Sequence, residues 1–134
     1  MTTKETVIAY VVVVLAIALL DLLWLGVVAK PLYMRGMGHL MAEQPNFVAA
    51  ALFYLVYAAG LMVFVLLPSG ADAGYAKLAI TGALFGFFCY SVYDLTNLAV
   101  LKDWPVGLSI LDVAWGTLVG ALSVVAAKAV LRLL

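Results

Sequence analysis

Four long apolar runs follow one another along this chain and leave little else to fold. They cover Thr6–Ala29, Asn46–Leu67, Leu78–Leu101 and Val106–Ala127. The second run carries no charge, and the others carry one aspartate each: Asp21, Asp94 and Asp112. Each exceeds the roughly 20 residues that a helix needs to cross a hydrocarbon core of about 30 Å at 1.5 Å per residue. In lipid the backbone must satisfy its own hydrogen bonds, so only helices and closed barrels can span. None of the runs alternates with period two, which excludes a barrel. The expected fold is therefore an all-α membrane protein, a four-transmembrane-helix up-down bundle with residues 1–134 as one domain.

Composition excludes the alternatives. Hydrophobic residues make up 68% of the chain and charged residues 10%. A soluble domain carries about 25% charge, and disorder needs low hydrophobicity. Seven basic and seven acidic residues cancel, so no basic patch is present to hold nucleic acid. The single cysteine, Cys89, excludes an intrachain disulfide or a CxxC site. The first run is too long for a cleaved signal peptide, and only Lys4 marks a basic leader, so it reads as a retained span.

Three short connections join the spans. Loop one is 30–45, loop two is 68–77 and loop three is 102–105. Four spans put both termini on one side, with Lys4, Lys77, Lys128 and Arg132; the other side has Lys30, Arg35 and Lys102. The excess of one basic residue favours cytoplasmic termini. In loop one, Leu32, Tyr33, Met37, Leu40 and Met41 recur at roughly helical spacing. They fit either a short interfacial helix across one mouth of the bundle, with Gly36 and Gly38 weakening or hinging it, or an ordinary apolar loop. Tyr10, Tyr33, Tyr75 and Trp104 read as interfacial aromatics.

Depth arithmetic brings the aspartates together. Asp21 lies eight residues before Ala29, Asp94 seven before Leu101, and Asp112 six after Val106. At 1.5 Å per residue all three lie about 9–12 Å below the face that bears loops one and three. Tyr54, eight residues into the second run, falls at a similar depth. Trp24 and Trp115 each follow an aspartate by three residues and so share its helix face. Two Tyr-x-x-Tyr pairs, Tyr54/Tyr57 and Tyr90/Tyr93, lie between these Asp-x-x-Trp motifs. On the terminal side, Gly82/Gly86 and Gly116/Gly120 have the small-x-x-x-small spacing that lets helices approach closely in lipid. Packing of the last two spans there leaves the loop-one half freer to open as a cavity.

An aspartate at mid-span disfavours insertion by about 2.5–3.5 kcal/mol, whereas an interhelical hydrogen bond in a membrane returns about 0.6 kcal/mol. Cohesion alone is a poor reason for three of them, and intramembrane ionisable groups mark functional sites by default. Asp94, Asp21 and Asp112 are the candidate catalytic residues, with Asp94 as principal acid/base or polar anchor. Trp24, Tyr54, Tyr90, Tyr93, Asn97 and Trp115 are the candidate ligand-binding residues around them. Arg35 and His39, on the loop-one side, are the basic residues placed to reach down to the carboxylates. The competing reading is structural: one or two aspartates stay protonated and bond to Tyr93, Asn97 or Ser109. The carboxylates, Asn97 and a tyrosine are oxygen donors suited to Mg²⁺ or Ca²⁺, but at no recognised spacing. Zinc and haem are disfavoured, since His39 is the only imidazole. No metal is assigned, and the cofactor is left open. No GxSxG, HExxH, P-loop or GxGxxG motif is present.

The strings Asp21-x-x-Trp24-Leu25-Gly26, Tyr93-Asp94-Leu95-Thr96-Asn97 and Asp112-x-x-Trp115-Gly116 resemble the domain-of-unknown-function 2177 family of small bacterial membrane proteins. The resemblance covers nearly the whole chain in the same order. It implies a four-helix protein of a bacterial inner membrane and brings no known activity. It also implies an association with lipid-modifying genes, such as cyclopropane-fatty-acid-synthase-like methyltransferases.

Three functions fit these residues. The first is binding or modification of a lipid or isoprenoid ligand in an intramembrane pocket lined by Asp21, Asp94 and Asp112. The second is a small proton- or cation-coupled transporter. The third is an accessory subunit of a larger membrane complex, with a homo-oligomer also open. Polar residues thin out towards the terminal side, which favours a one-sided pocket over a through-path.

Overall fold

The computed structural model describes residues 1–134 in full. The chain is all helical: α1 (Thr3–Val28), α2 (Lys30–Met37), α3 (Phe47–Ser69), α4 (Tyr75–Val100) and α5 (Val106–Leu131), with no strand. By length and composition α1, α3, α4 and α5 can each cross a membrane. They occupy the four apolar runs, with ends shifted by up to four residues. Local chemistry fixes where two of them begin. Thr2 and Glu5 form a capping box at the start of α1, with bonds of 2.8 and 3.1 Å. The Asn46 side chain accepts from the Ala49 N–H at 3.1 Å and caps α3.

A four-residue spacing decides which face of each helix turns inward. On α1 the buried residues are Ala9, Val13, Ile17 and Asp21. On α4 they are Leu78, Gly82, Gly86 and Asp94, with half-buried Tyr90 on the same line. Each aspartate therefore continues the core stripe of its own helix. The opposite face of α1, with Val7, Val11, Leu15 and Leu19, is exposed and meets lipid. The threonine hydroxyls within the spans are satisfied inside their own helices, as where Thr117 donates to the Val113 carbonyl at 2.8 Å, whereas the Ser123 and Tyr57 hydroxyls are buried without a partner.

The α4–α5 pair is the most intimate in the bundle. A Cβ on Gly86 would collide with the backbone carbonyl of Gly116, and one on Gly120 with the carbonyl of Gly82. The two small-residue ridges thus meet backbone to backbone, as their spacing predicts. The backbones of α3 and α4 come together chiefly along Met62–Leu66, a π-helical turn near the end of α3. Nearer loop one, rings instead of backbones bridge the gap: Tyr57 lies 5.5 Å from Phe85 and 6.1 Å from Tyr90, centroid to centroid.

Loop one resolves into a helix. Its first half is α2, followed by a short 3-10 turn at Gly38–Leu40. Pro31 sits in the first turn, where a missing N–H costs nothing. Gly36 lets α2 press against Pro105 and Leu108 of loop three and α5. Far from this face, Tyr75 lies under Lys128 and Arg132, with charge-to-ring distances of 5.4 and 5.8 Å, as an interfacial aromatic does.

Candidate functional site

On the loop-one side of the glycine contact the helices enclose a cavity of about 600 Å³. Sixteen residues line it, from all four spans, loop one and loop three; thirteen are hydrophobic, and the other three are Asp21, Asp94 and Asp112. The lining places Tyr54, Tyr90, Tyr93 and Trp115 on the walls with them. Trp24 stands behind Trp115, stacked on it at 4.5 Å with the ring planes 5° apart. Asn97 does not line the cavity. Arg35 and His39 are exposed and do not reach it either; His39 lies 4.0 Å from Asp103 of loop three. No basic side chain lines this cavity.

The two Asp-x-x-Trp motifs serve each other across the bundle. The Trp115 indole N–H donates to Asp21 Oδ1 at 3.1 Å. The Trp24 indole N–H donates to the Tyr33 hydroxyl at 3.3 Å, and that hydroxyl donates to Asp112 Oδ1 at 2.6 Å. Each carboxyl is thus held by the opposite motif, directly in one case and through Tyr33 in the other. Tyr54 lies beside Asp21 and completes that corner.

Tyr33 corrects the sequence reading, which made it a belt residue. It is 7% exposed and sits at the centre of this network. Burial, and then the bond to Asp112, push its phenol above the ordinary tyrosine range. It therefore keeps its proton and acts as a donor. Tyr33→Phe should strand the Asp112 oxygen and the Trp24 N–H together, and a stranded buried group costs about 1–3 kcal/mol. Chemical unfolding in mixed micelles should show a loss in that range, along with a changed near-ultraviolet signal from the stacked indoles.

Asp94 is placed differently from the other two. It is 1% exposed, and its Oδ2 has no hydrogen-bond partner. Its carboxyl lies within hydrogen-bonding reach of Asp112. Ser109, a possible partner on the sequence reading, gives its hydroxyl to the Pro105 carbonyl at 2.8 Å. The three carboxyls do not gather into a set that one metal ion could share.

Trp104, read as an interfacial aromatic, also lines the cavity, edge-on to Tyr93 at 5.8 Å, with its indole N–H buried and unpartnered. Met37 and Met41 line the cavity too. The helical spacing of Tyr33 and Met37 puts both on one face of α2, and Met41 joins them from beyond the 3-10 turn. Cavity-lining Phe53 on α3 and Tyr93 on α4 remain 40% and 55% exposed. At this level the α3 and α4 backbones make little contact, and the exposure of these two residues leaves the cavity wall open on that side.

Fold and site together define a four-helix integral membrane protein with a one-sided, largely apolar cavity whose charged residues are all acidic. The chain belongs to the DUF2177 family of predicted membrane proteins, which it matches over residues 6–129. No curated protein and no solved structure matches it.

Proposed function

We propose that the cavity holds the chain of a lipid or isoprenoid, with the ligand's polar end at the Asp94–Asp112 pair. The observation that carries this reading is the division of the lining: thirteen hydrophobic residues, and no non-hydrophobic residue but the three aspartates. A pocket with mostly apolar walls and a few convergent polar groups is built for such a ligand. The lateral opening between α3 and α4 gives a membrane-borne chain a way in. The glycine contact closes the terminal half, which supports a pocket over the through-path that a carrier needs. The neighbouring Asp94 and Asp112 carboxyls would stand beside the bound chain, where acid–base modification of that chain needs a positioned carboxyl. The setting that goes with this reading is a bacterial inner membrane with cytoplasmic termini.

Half-buried Ala50 lines the cavity, so Ala50→Trp fills it without touching a carboxyl. Native mass spectrometry of gently released protein should show a bound species of lipid mass on the parent and its loss from Ala50→Trp. A bare chain in both, or equal occupancy in both, counts against the proposal.

A further inference from the structure

We infer that the cavity selects amphiphiles whose head donates hydrogen bonds, an ammonium or a hydroxyl, and rejects anionic heads. This rests on the reading of the cavity as a lipid-chain site and adds the chemistry of the head.

The polar inventory of the cavity is one-sided. Asp21, Asp94 and Asp112 line it, and no lysine, arginine or histidine does. The nearest basic groups of loop one, Arg35 and His39, are exposed outside it. The donors best placed to neutralise an anion are already engaged. The Trp115 indole is bonded to Asp21, and Tyr33 to Asp112. What remains for a ligand is the hydroxyls of wall tyrosines and the Trp104 N–H, all uncharged. A phosphate or carboxylate would meet three carboxyls at close range with no cation, in a medium of low dielectric. The unmet demand points the other way. Asp94 Oδ2 is buried and unpartnered at the cavity wall, and a buried acceptor of this kind is completed by a donor. The Trp104 N–H offers a single neutral bond, fit for an ether, ester or hydroxyl oxygen.

The protein carries its own reporters, because Trp104 and Trp115 line the cavity and Trp24 stacks on Trp115. The protein in phosphatidylcholine nanodiscs is titrated with three probes of equal chain length, each brominated near mid-chain to quench tryptophan: an alkylamine, an alkanol and an alkanoate. The amine and the alkanol should quench saturably at concentrations at least about tenfold below the alkanoate, the margin expected of a charge-assisted bond against a repelled anion. Asp94→Asn should shrink the amine-to-alkanoate ratio by about tenfold. Alkanoate binding as tight as amine binding overturns the head-group inference and leaves the pocket standing. Saturable quenching by none of the three overturns the pocket itself. The comparison among probes is made on the parent protein, so it stands even where the variant does not fold.

Discussion

Gly86→Val will cost the bundle about 3 kcal/mol or more, at the upper end of what overpacking does. The atom in the way is the Gly116 carbonyl, which cannot rotate aside as a side chain can. To admit the Cβ and its two methyls the α4 and α5 backbones must part, and the reciprocal contact of Gly120 with Gly82 parts with them. No solvent-driven effect compensates in lipid, where helix association depends on close packing. Unfolding by a denaturing detergent in mixed micelles measures this directly. The control is Gly107→Ala, where an added Cβ meets nothing within 4 Å; its change should stay within about 1 kcal/mol and tend towards stabilisation. Equal losses at both positions would show that the glycine ridges are not the contact that holds the pair.

Asp94→Asn should have the opposite sign. A buried carboxyl with one unpartnered oxygen is poorly placed for stability, and replacing it removes the group that is most expensive to insert. The gain should be about 1–3 kcal/mol, bounded by the cost of a mid-span aspartate. Asparagine keeps the shape and can still donate to Asp112, so the network through Tyr33 should survive. Ligand occupancy should fall even as the empty protein becomes harder to unfold, the trade expected of a group kept for function. The two readings of Asp94 therefore part on a single stability curve: a loss of several kcal/mol would make it a structural residue.

The part of this molecule legible in the sequence was the part governed by length and depth. Hydropathy located the spans because lipid leaves a chain no other way to satisfy its backbone. A rise of 1.5 Å per residue then brought aspartates from three separate helices to one level, and all three line one cavity. Gly82/Gly86 and Gly116/Gly120 were legible because close approach demands small residues at that interval. What was not legible depends on rotation and on chain reversal. Nothing in Trp24 or Trp115 says that each will serve the other motif's aspartate, since that follows from how α1 and α5 turn against one another. The inward roles of Tyr33 and Trp104 were missed because an aromatic beside a span end has two homes, the membrane interface and the bundle mouth. Choosing between them requires knowing that α2 folds back onto Leu108. Arg35 and His39 were drawn towards the carboxylates by charge and by their side of the membrane, but α2 and the 3-10 turn after it leave both exposed outside the cavity.

The lateral opening has a consequence for traffic within the bilayer. The exposed cavity-wall residues Phe53 and Tyr93 lie in the half of the membrane next to loop one, and beyond it α4 and α5 meet backbone to backbone at the glycine contact. A ligand site open at that level would face one leaflet only. On the proposed lipid-site reading, a ligand entering there would come from that leaflet, so the direction in which the chain inserts would decide which pool of lipid the site meets. Inverting the chain would leave every helix contact unchanged and would exchange one leaflet's contents for the other's.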